Sequence, residues 1–535
     1  MFGVVSGQNG KKIPSEKPKL IVGIVISQMR QDYISRYWNK FGEDGIKKLI
    51  NRGTYCKNTQ FNYLFSDEGV GHATIATGTN PCHHGIVSDQ WYNHLKERII
   101  TNIEDDNAET VGGNYASGKM SPANLLCTTY GDELKLSNNF KSKIIGISYD
   151  PSAAILSTGH SADAAYWFDV KTGGWITSNY YMDSLPAWVA QFNQKGFADV
   201  YVEQEWSTLL PISEYSESLP DKNGYEEGLR EQTTFPYDLK ELNKKYKKKD
   251  KYSILNYTPY GNNYTKDFVV SAIVEEGLGA DQYTDILVIG FSAIENIGNL
   301  YGPHSVEVQD AMLRLDKDIA HLLGFIDETV GKENTLIYLT AEHGVAYNPK
   351  YLADNKIPVG YFDPRSSYML LNSYMKNKYG RGDWVKSFHS QQIYLNRLLI
   401  EDADLNLVEV QNDVADFMLQ FHGVANTITA NTLQTTNFTD GIFYKVQNSF
   451  HQKRSGDILI NLKAGWVEKD GGSTNHNSSY NYDSRVPLIW YGWKIGRKSI
   501  TRPVDLTDIA PTISNFLEIS YPNAATGVPI IELME

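Results

Sequence analysis

The chain has 535 residues, 41% of them hydrophobic, and a formal net charge of -13 with a pI near 5.5. This size allows one large α/β domain with a cap, or two to three ordinary domains. Nucleic acids and anionic membranes are bound by clustered Lys and Arg, so the acidic balance argues against a surface built for either. No hydrophobic run approaches the roughly 18 residues of a membrane-spanning helix, so we expect no transmembrane segment.

The cysteines and the N-terminal segment carry little information. Cys56, Cys82 and Cys127 show neither the CxxC pairing of a structural zinc site nor the density of a disulfide framework. Residues 1–17 begin with apolar and then small residues but lack a basic n-region. Both a truncated signal remnant and an ordinary flexible N-terminus remain open for this segment.

Short continuous apolar runs predict buried parallel strands, because a strand covered on both faces does not alternate. These runs are residues 20–26, 143–147, 286–291, 335–340 and 486–491. Between them, residues 306–325 place apolar side chains three and four apart, as a helix packed on a sheet requires. The pattern predicts an α/β sandwich with a mostly parallel central sheet.

Two stretches interrupt this pattern with Gly, Asn and Tyr and with weak periodicity, at about 92–250 and 345–450. We expect both to be cap insertions of a single domain that spans residues 18–535. In open parallel sheets, ligands bind at the carboxyl ends of the strands. The residues that follow the strands are therefore the candidates for a site.

A glycine-rich segment lies between the first and second predicted strands. Residues 68–78 read Glu-Gly-Val-Gly-His-Ala-Thr-Ile-Ala-Thr-Gly, and Pro-Cys-His-His-Gly-Ile follows at 81–86. Where a helix begins with small residues, its backbone can approach a phosphoryl group closely and donate hydrogen bonds to it from N–H groups. The segment is typical of a phosphate-binding loop, except that a carboxylate at Glu68 repels an anion.

Ordered landmarks along the whole chain carry a family resemblance. They are Gln-Met-Arg-Gln-Asp-Tyr (28–33), Gly-His-Ala-Thr-Ile (71–75), His-Gly-Ile (84–86), Ile-Leu-Ser-Thr-Gly-His (155–160), Tyr-Trp-Phe-Asp (166–169), Gly-Pro-His-Ser (302–305), Arg-Ser-Gly-Asp (454–457), Tyr-Asp (482–483) and Thr-Asp-Ile-Ala-Pro-Thr (507–512). From about residue 18 onward, the chain resembles the phosphate-irrepressible alkaline phosphatases of bacterial cell envelopes. These belong to the alkaline phosphatase superfamily and are relatives of the nucleotide pyrophosphatase/phosphodiesterases.

The resemblance implies a two-zinc site in which a threonine between the metals attacks phosphorus. At the family's ligand and nucleophile positions this chain has Ser27, Glu68, Glu342 and His343 for one zinc, and Glu295, Asn299 and His476 for the other. Only the two histidines are of the family's type. Glu68 takes the place of the nucleophile.

The residues that grip phosphate in the family are changed as well. The resemblance implies an Asn, a Lys and an Arg, and this chain has Asp89, Asp150 and Ser152 in their places. Positive donors stabilise the charge of the transition state, so Asp in place of Lys reverses the field at that point.

We therefore expect a catalytically inactive, phosphatase-like pseudoenzyme that serves as a binding or scaffold subunit of a cell-envelope complex. The expected partner is an envelope protein, with no nucleic acid, and the expected location is periplasmic or outer-membrane-associated. We expect no cofactor beyond one weakly held divalent cation, since Asn299 offers a neutral oxygen that suits Ca²⁺ or Mg²⁺.

Two other functions remain open. One is a metal-dependent phosphomonoesterase or phosphodiesterase with an altered metal site, in which Thr74 or Ser66 replaces the nucleophile. The other is a glycan-binding module, indicated only by 35 tyrosines and 10 tryptophans. Structural roles are open too: Glu68 as a helix N-cap, and His343 and His476 as hydrogen-bonding residues.

Overall fold

The computed structural model describes residues 16–113, 116–246, 250–469 and 471–535. The predicted N-terminal segment 1–17 therefore lies outside the described residues, except for its last two. Within the described ranges, every helix is too short or too polar to cross a membrane.

Most strands belong to one large sheet, and the others form small separate sheets. In chain order, the strands are β1 Leu20–Ile26, β2 Thr54–Gln60, β3 Gln90–Asn93, β4 Arg98–Thr101, β5 Thr110–Val111, β6 Ile144–Ser148, β7 Ala164–Phe168, β8 Trp175–Ser178, β9 Glu205–Trp206, β10 Tyr237–Asp238, β11 Asp285–Phe291, β12 Thr335–Thr340, β13 Tyr361–Phe362, β14 Val385–His389, β15 Gln392–Leu395, β16 Val424–Thr429, β17 Ile458–Leu462, β18 Val467–Glu468, β19 Arg485–Gly492, β20 Lys498–Ile500 and β21 Val504–Asp505.

The helices connect these strands and cover the sheet. They are α1 Asp32–Arg36, α2 Ile46–Arg52, α3 Glu68–Thr77, α4 Pro81–His84, α5 Tyr130–Ser137, α6 Pro151–Leu156, α7 Ala187–Gln194, α8 Phe197–Tyr201, α9 Leu239–Tyr246, α10 Pro259–Glu275, α11 Ala293–Tyr301, α12 Val306–Thr329, α13 Pro349–Asp354, α14 Pro364–Tyr379, α15 Arg397–Asp402, α16 Leu407–Met418, α17 Ala430–Thr435, α18 Gly441–Ser449, α19 Asn481–Ser484 and α20 Ile509–Leu517.

The large sheet has the strand order β20-β2-β19-β12-β1-β11-β6-β7-β8-β5, and β21 also pairs with β2. β12, β1, β11, β6 and β7 run parallel. All residues of β1, β11 and β12 are buried, which explains their continuous apolar runs. The α/β prediction is confirmed.

One strand direction was predicted wrongly. The run at 486–491 lies in β19, which is antiparallel to both of its neighbours, β12 and β2. A strand covered on both faces has the same apolar pattern in either direction, so the run alone indicated burial and not orientation.

The parallel strands bring their following residues to one edge of the sheet. Ser27 follows β1, Ser292 follows β11, and Glu342 lies two residues after β12. Asp150 lies two residues after β6 and immediately before α6. The carboxyl edge of the sheet therefore gathers predicted site residues from four separate parts of the chain.

A second apolar core lies within the later predicted cap stretch. The antiparallel sheet β14-β15-β17-β16 packs with α14, α15 and α16 around buried residues such as Trp384 and Ile460. The earlier stretch, 92–250, contributes strands β5 to β8 to the large sheet. The division into a core and two cap insertions stays a prediction.

Candidate active site and metal centre

Glu68 is the first residue of α3 and is buried at the sheet edge. Its Oε1 accepts hydrogen bonds from Ser27 Oγ and Ser292 Oγ, each at 2.8 Å. Burial, with the nearby carboxylates of Asp150, Glu295 and Glu342, raises the pKa of Glu68 well above its usual range. Asp67 holds the N-cap position, so the predicted capping role of Glu68 is wrong.

Glu342 and His343 follow β12 and are fully buried. Neither carboxylate oxygen of Glu342 has a hydrogen-bond partner within the described structure, and burial raises the pKa of this group to about 8. His343 Nδ1 donates to Gly344 O at 2.7 Å, so its Nε2 carries the lone pair. That Nε2 has no hydrogen-bond partner among the described residues.

Glu295, His343 and His476 converge, with one ligand atom from each within 4.8 Å of the others. We call these three residues the histidine group. His343 stacks on His476 with ring centroids 4.0 Å apart, and His476 Nε2 lies 3.2 Å from Glu295 Oε1. Burial opposes the charge of His476, but the Glu295 carboxylate raises its pKa above the usual value.

Asn299 lies one turn after Glu295 on α11. Its Oδ1 accepts a hydrogen bond from Gln28 Nε2 at 2.8 Å, so this neutral oxygen already has a protein partner. The structure therefore brings together six of the predicted metal-site positions and ties Asn299 to Gln28.

A second cluster includes a residue that the sequence analysis gave no role. Glu68, His72 and Glu342 each offer a ligand atom within 4.8 Å of the others, and we call them the carboxylate group. Glu68 and His72 are four residues apart in α3, so they lie on the same face of the helix. That spacing, in a motif already noted at 71–75, was the signal that could have identified His72.

The predicted phosphate-grip residues lie near one another, and Asn102 joins two of them, Asp89 and Ser152. Asp89 Oδ1 accepts from Gly69 N at 2.9 Å and from Asn102 Nδ2 at 3.0 Å. Ser152 Oγ donates to Asn102 Oδ1 at 2.9 Å. Asp150 accepts from the backbone N–H of Ala153 and so caps α6.

Burial and neighbouring carboxylates raise the pKa of Asp89 well above its usual value, and burial raises that of Asp150 to about 6. We call this region of the site, which contains the carboxyl groups of Asp89 and Asp150, the acidic corner.

Both predicted substitute nucleophiles, Thr74 and Ser66, already form hydrogen bonds within the protein. Thr74 Oγ1 donates to Val70 O at 2.9 Å and lies 3.1 Å from His84 Nε2. Ser66 Oγ accepts from Asn477 N at 3.1 Å, and both hydroxyls are fully buried. Their use as nucleophiles stays a prediction.

Comparison with known proteins shows similarity over nearly the whole chain. A protein of Myroides odoratus named calcium-transporting ATPase is 41% identical, with 97% of this chain and 95% of the relative covered. Alkaline phosphatase PafA of Elizabethkingia meningoseptica is 36% identical, with 99% and 97% covered. Alkaline phosphatase PhoV of Synechococcus elongatus is 36% identical, with 97% and 93% covered. A crystal structure of PafA superimposes with a TM-score of 0.93 and covers 97% of this chain and 99% of that chain.

These findings overturn the expected function. The prediction of a catalytically inactive pseudoenzyme that serves as a binding or scaffold subunit is wrong, because two relatives that match nearly the whole chain are alkaline phosphatases. The expected envelope-protein partner rested on the same premise and loses its support. Glu295, His343 and His476 come from distant parts of the chain and meet as potential metal ligands, so Glu in place of Asp at position 295 does not by itself remove the site.

The expectation of no cofactor beyond one weak cation is wrong for the same reason. The resemblance implies divalent metal, and the fold gathers two adjacent groups of potential ligands. His343 Nε2 lies 3.8 Å from Glu342 Oε1, which places the two groups side by side.

Family membership follows from the length of the matches. The type I phosphodiesterase / nucleotide pyrophosphatase family matches residues 21–482, which is most of the chain. Sequence and fold agree, and the chain belongs to this family within the alkaline phosphatase superfamily.

Proposed function

We propose that this protein is a metal-dependent phosphoester hydrolase with an altered metal site. The observation that carries the proposal is the convergence of Glu295, His343 and His476 at the carboxyl edge of the sheet. Ligands bind at this edge in open α/β folds. The similarity to alkaline phosphatases supports the reaction class.

The residues of the histidine group fit a divalent ion. His343 Nε2 and His476 Nδ1 are buried without hydrogen-bond partners among the described residues. Buried polar atoms are costly unless they are paired, so these nitrogens point to a ligand. Two histidines and one glutamate also form the ligand set of some catalytic zinc sites, which keep one position open.

A divalent ion held there would polarise a phosphoryl oxygen and lower the pKa of water. The residues at this position determine which group accepts the phosphoryl group. Glu68 carries no hydroxyl, and its Oε1 is held by Ser27 and Ser292. We therefore propose that the phosphoryl group passes directly to water, without a phosphorylated residue at position 68.

The acidic corner of the site favours substrates of low charge. Asp89 and Asp150 stand where the family resemblance implies Asn and Lys. Asp150 is ionised above about pH 6 and then repels phosphoryl oxygens, whereas the raised pKa of Asp89 reduces the charge of that carboxyl group. A phosphomonoester carries about two negative charges near neutral pH, whereas a phosphodiester carries only one. The repulsion is smaller for the diester, and we propose phosphodiesters as the preferred class.

The test is hydrolysis of p-nitrophenyl phosphate and bis(p-nitrophenyl) phosphate by protein stripped with chelator and reloaded with Zn²⁺, Mn²⁺ or Co²⁺. We expect metal-dependent turnover that is faster for the diester, and a loss of at least about tenfold in His476→Gln. The exposed His83 serves as the control, because His83→Gln removes an imidazole outside the site. Absence of turnover with every metal and both esters would contradict the proposal.

A further inference from the structure

A cavity outside the candidate active site lies between the β3–β4 hairpin and the small sheet that contains β14 and β15. Its volume is about 740 Å³, within the usual size range of small-molecule binding sites. Trp91 and Tyr92 line it from β3, Lys386 from β14 and Leu395 from β15. The residues that line it are all different from those of the histidine group, the carboxylate group and the acidic corner. We call this space the hairpin cavity.

The hairpin cavity is positively charged, although the whole chain carries a net charge of -13. Lys386, Lys453 and Arg454 line it, and within the described structure these three side chains form no salt bridge. A fourth cation, Arg397, is paired with a buried carboxylate. Glu97 is the one carboxylate among the described lining residues. Three unpaired cations beside one carboxylate leave a positive field that attracts an anion.

Arg454 is held in place with part of its guanidinium unused. Its Nη1 donates to Gly85 O and Asn124 O, each at 2.6 Å, and its Cζ lies 5.2 Å from the centroid of the Trp91 ring. Its Nε and Nη2 have no acceptor among the residues that the structure describes. Burial lowers the pKa of Arg454 to about 10, and no carboxylate opposes this shift. The Arg-Ser-Gly-Asp motif therefore presents a fixed donor that lacks an anionic partner.

The mouth of the hairpin cavity is apolar. Leu95, in the turn of the β3–β4 hairpin, is 96% exposed, and Leu398 of α15 is 68% exposed. Both residues line the cavity, beside the buried rings of Trp91 and Tyr92. A single exposed leucine needs no explanation, but two on separate elements at one cavity favour a ligand with an apolar body.

His94 also lines the cavity and has an unpaired buried nitrogen. Its Nε2 is buried without a hydrogen-bond partner within the described ranges. The ring packs edge-on against Tyr92, with centroids 5.3 Å apart, and burial lowers the pKa of His94, so the ring is neutral near pH 7. Buried polar atoms are usually paired, and a ligand in the hairpin cavity offers this nitrogen a partner.

We propose that the hairpin cavity binds a small organic anion, in which an apolar ring or chain carries a carboxylate, sulfonate or phosphate group. The anionic group pairs with Arg454, Lys386 and Lys453, and the apolar body packs between Leu95 and Leu398. A neutral sugar would leave the three cations unpaired, so the charge of the cavity argues against a glycan. The inference is independent of the proposed hydrolase.

The test is isothermal titration calorimetry of the purified full chain with naphthalenesulfonate, which contains no phosphoester and is therefore not hydrolysed. Two further titrants separate its parts: naphthalenemethanol has the ring without the charge, and inorganic phosphate has the charge without the ring. We expect about one bound naphthalenesulfonate per chain, and binding of each of the other two that is weaker by at least about tenfold. Equal affinity for all three titrants, or no binding of naphthalenesulfonate, would overturn the inference.

A charge variant locates the bound anion. Lys386→Gln combined with Lys453→Gln removes two positive charges from the cavity, and neither side chain forms a hydrogen bond within the described structure. We expect this double variant to bind naphthalenesulfonate about tenfold more weakly. Lys171→Gln combined with Lys376→Gln is the matched control, because it removes two exposed lysines outside the cavity. An equal affinity of the two double variants would contradict the proposed site.

A second variant tests the mouth without touching a buried residue. Leu398→Asp places a carboxylate beside the bound anion and should weaken binding by about tenfold. Leu370→Asp is its control, since Leu370 of α14 is 56% exposed and lies outside the cavity lining. Thermal midpoints verify that each variant folds. Unchanged affinity in Leu398→Asp would place the ligand elsewhere and overturn the inference.

Discussion

Single residues of the acidic corner make stability depend on pH. Asp150 is the clearest case, because burial raises its pKa to about 6 and its N-cap hydrogen bond does not require a charge. An acid whose folded pKa is raised binds protons more tightly when folded. Its ionisation therefore costs stability above about pH 6, and the cost disappears as pH falls below the unfolded value of about 4.

We predict that Asp150→Asn stabilises the metal-free protein at pH 8 by about 1 to 3 kcal/mol, since Asn also caps helices and carries no charge. The gain in unfolding free energy should grow between about pH 4 and about pH 6 and stay constant above about pH 6. Denaturant unfolding in the presence of chelator measures it. A loss of stability at pH 8 would show that the carboxylate is satisfied by contacts other than those described.

At the scale of elements, α3 positions the carboxylate group through its glycines. A Cβ at residue 69 would lie 2.0 Å from Asn102 Nδ2, and one at residue 71 would lie 2.2 Å from Glu342 Cβ. Both distances are too short, so the helix can pack here only without side chains at these positions. This close packing is what brings Glu68, His72 and Glu342 together.

We predict that Gly71→Ala destabilises the protein by about 1 to 3 kcal/mol because the added methyl group displaces Glu342. Gly324 in α12 is the control, since a Cβ there meets no atom within 4 Å. Gly324→Ala should stabilise by about 0.5 to 1 kcal/mol, the usual gain in a helix. Denaturant midpoints compare the two variants, and a shift in the same direction would contradict the packing argument.

At the scale of the whole molecule, the net charge of -13 opposes anionic substrates. Repulsion between a protein and a ligand of like charge slows their encounter, and salt screens it. The acidic corner adds a local contribution of the same sign. Added salt should therefore increase kcat/KM here, whereas it decreases kcat/KM for an enzyme that attracts its substrate electrostatically.

We predict that kcat/KM for bis(p-nitrophenyl) phosphate rises by about two- to fivefold as NaCl increases from about 10 mM to about 150 mM. Initial rates at saturating metal measure this. Asp150→Asn is the comparison variant, because it removes one charge and should show a smaller rise. A decrease with salt would mean that a positive surface guides the substrate.

Much of the fold could be predicted because its strands and helices produce local patterns of apolar residues in the sequence. The runs at 20–26 and 335–340 match β1 and β12, and the helix predicted at 306–325 continues to Thr329 in α12. Continuous apolar runs and three-four spacing follow from burial of each element by itself. The clustering of Ser27, Glu342 and Glu295 at one edge followed from the parallel arrangement of the strands.

The local patterns do not show whether the activity is retained. The resemblance implies Asp at positions 295 and 342, and Glu at both positions predicted a loss of metal binding. Ligand sets are defined by where side-chain atoms meet, and three glutamates and three histidines form two adjacent groups here.

The sequence alone determined the fold class, the family and the acidic character of the site, because burial patterns, ordered motifs and charges are properties of the residues themselves. Only the tertiary structure decided the direction of β19, the stacking of His343 on His476 and the place of His72 beside Glu342. These depend on contacts between segments distant in the chain, such as the approach of α3 to the end of β12 that Gly71 permits. Local residue patterns do not contain such distances.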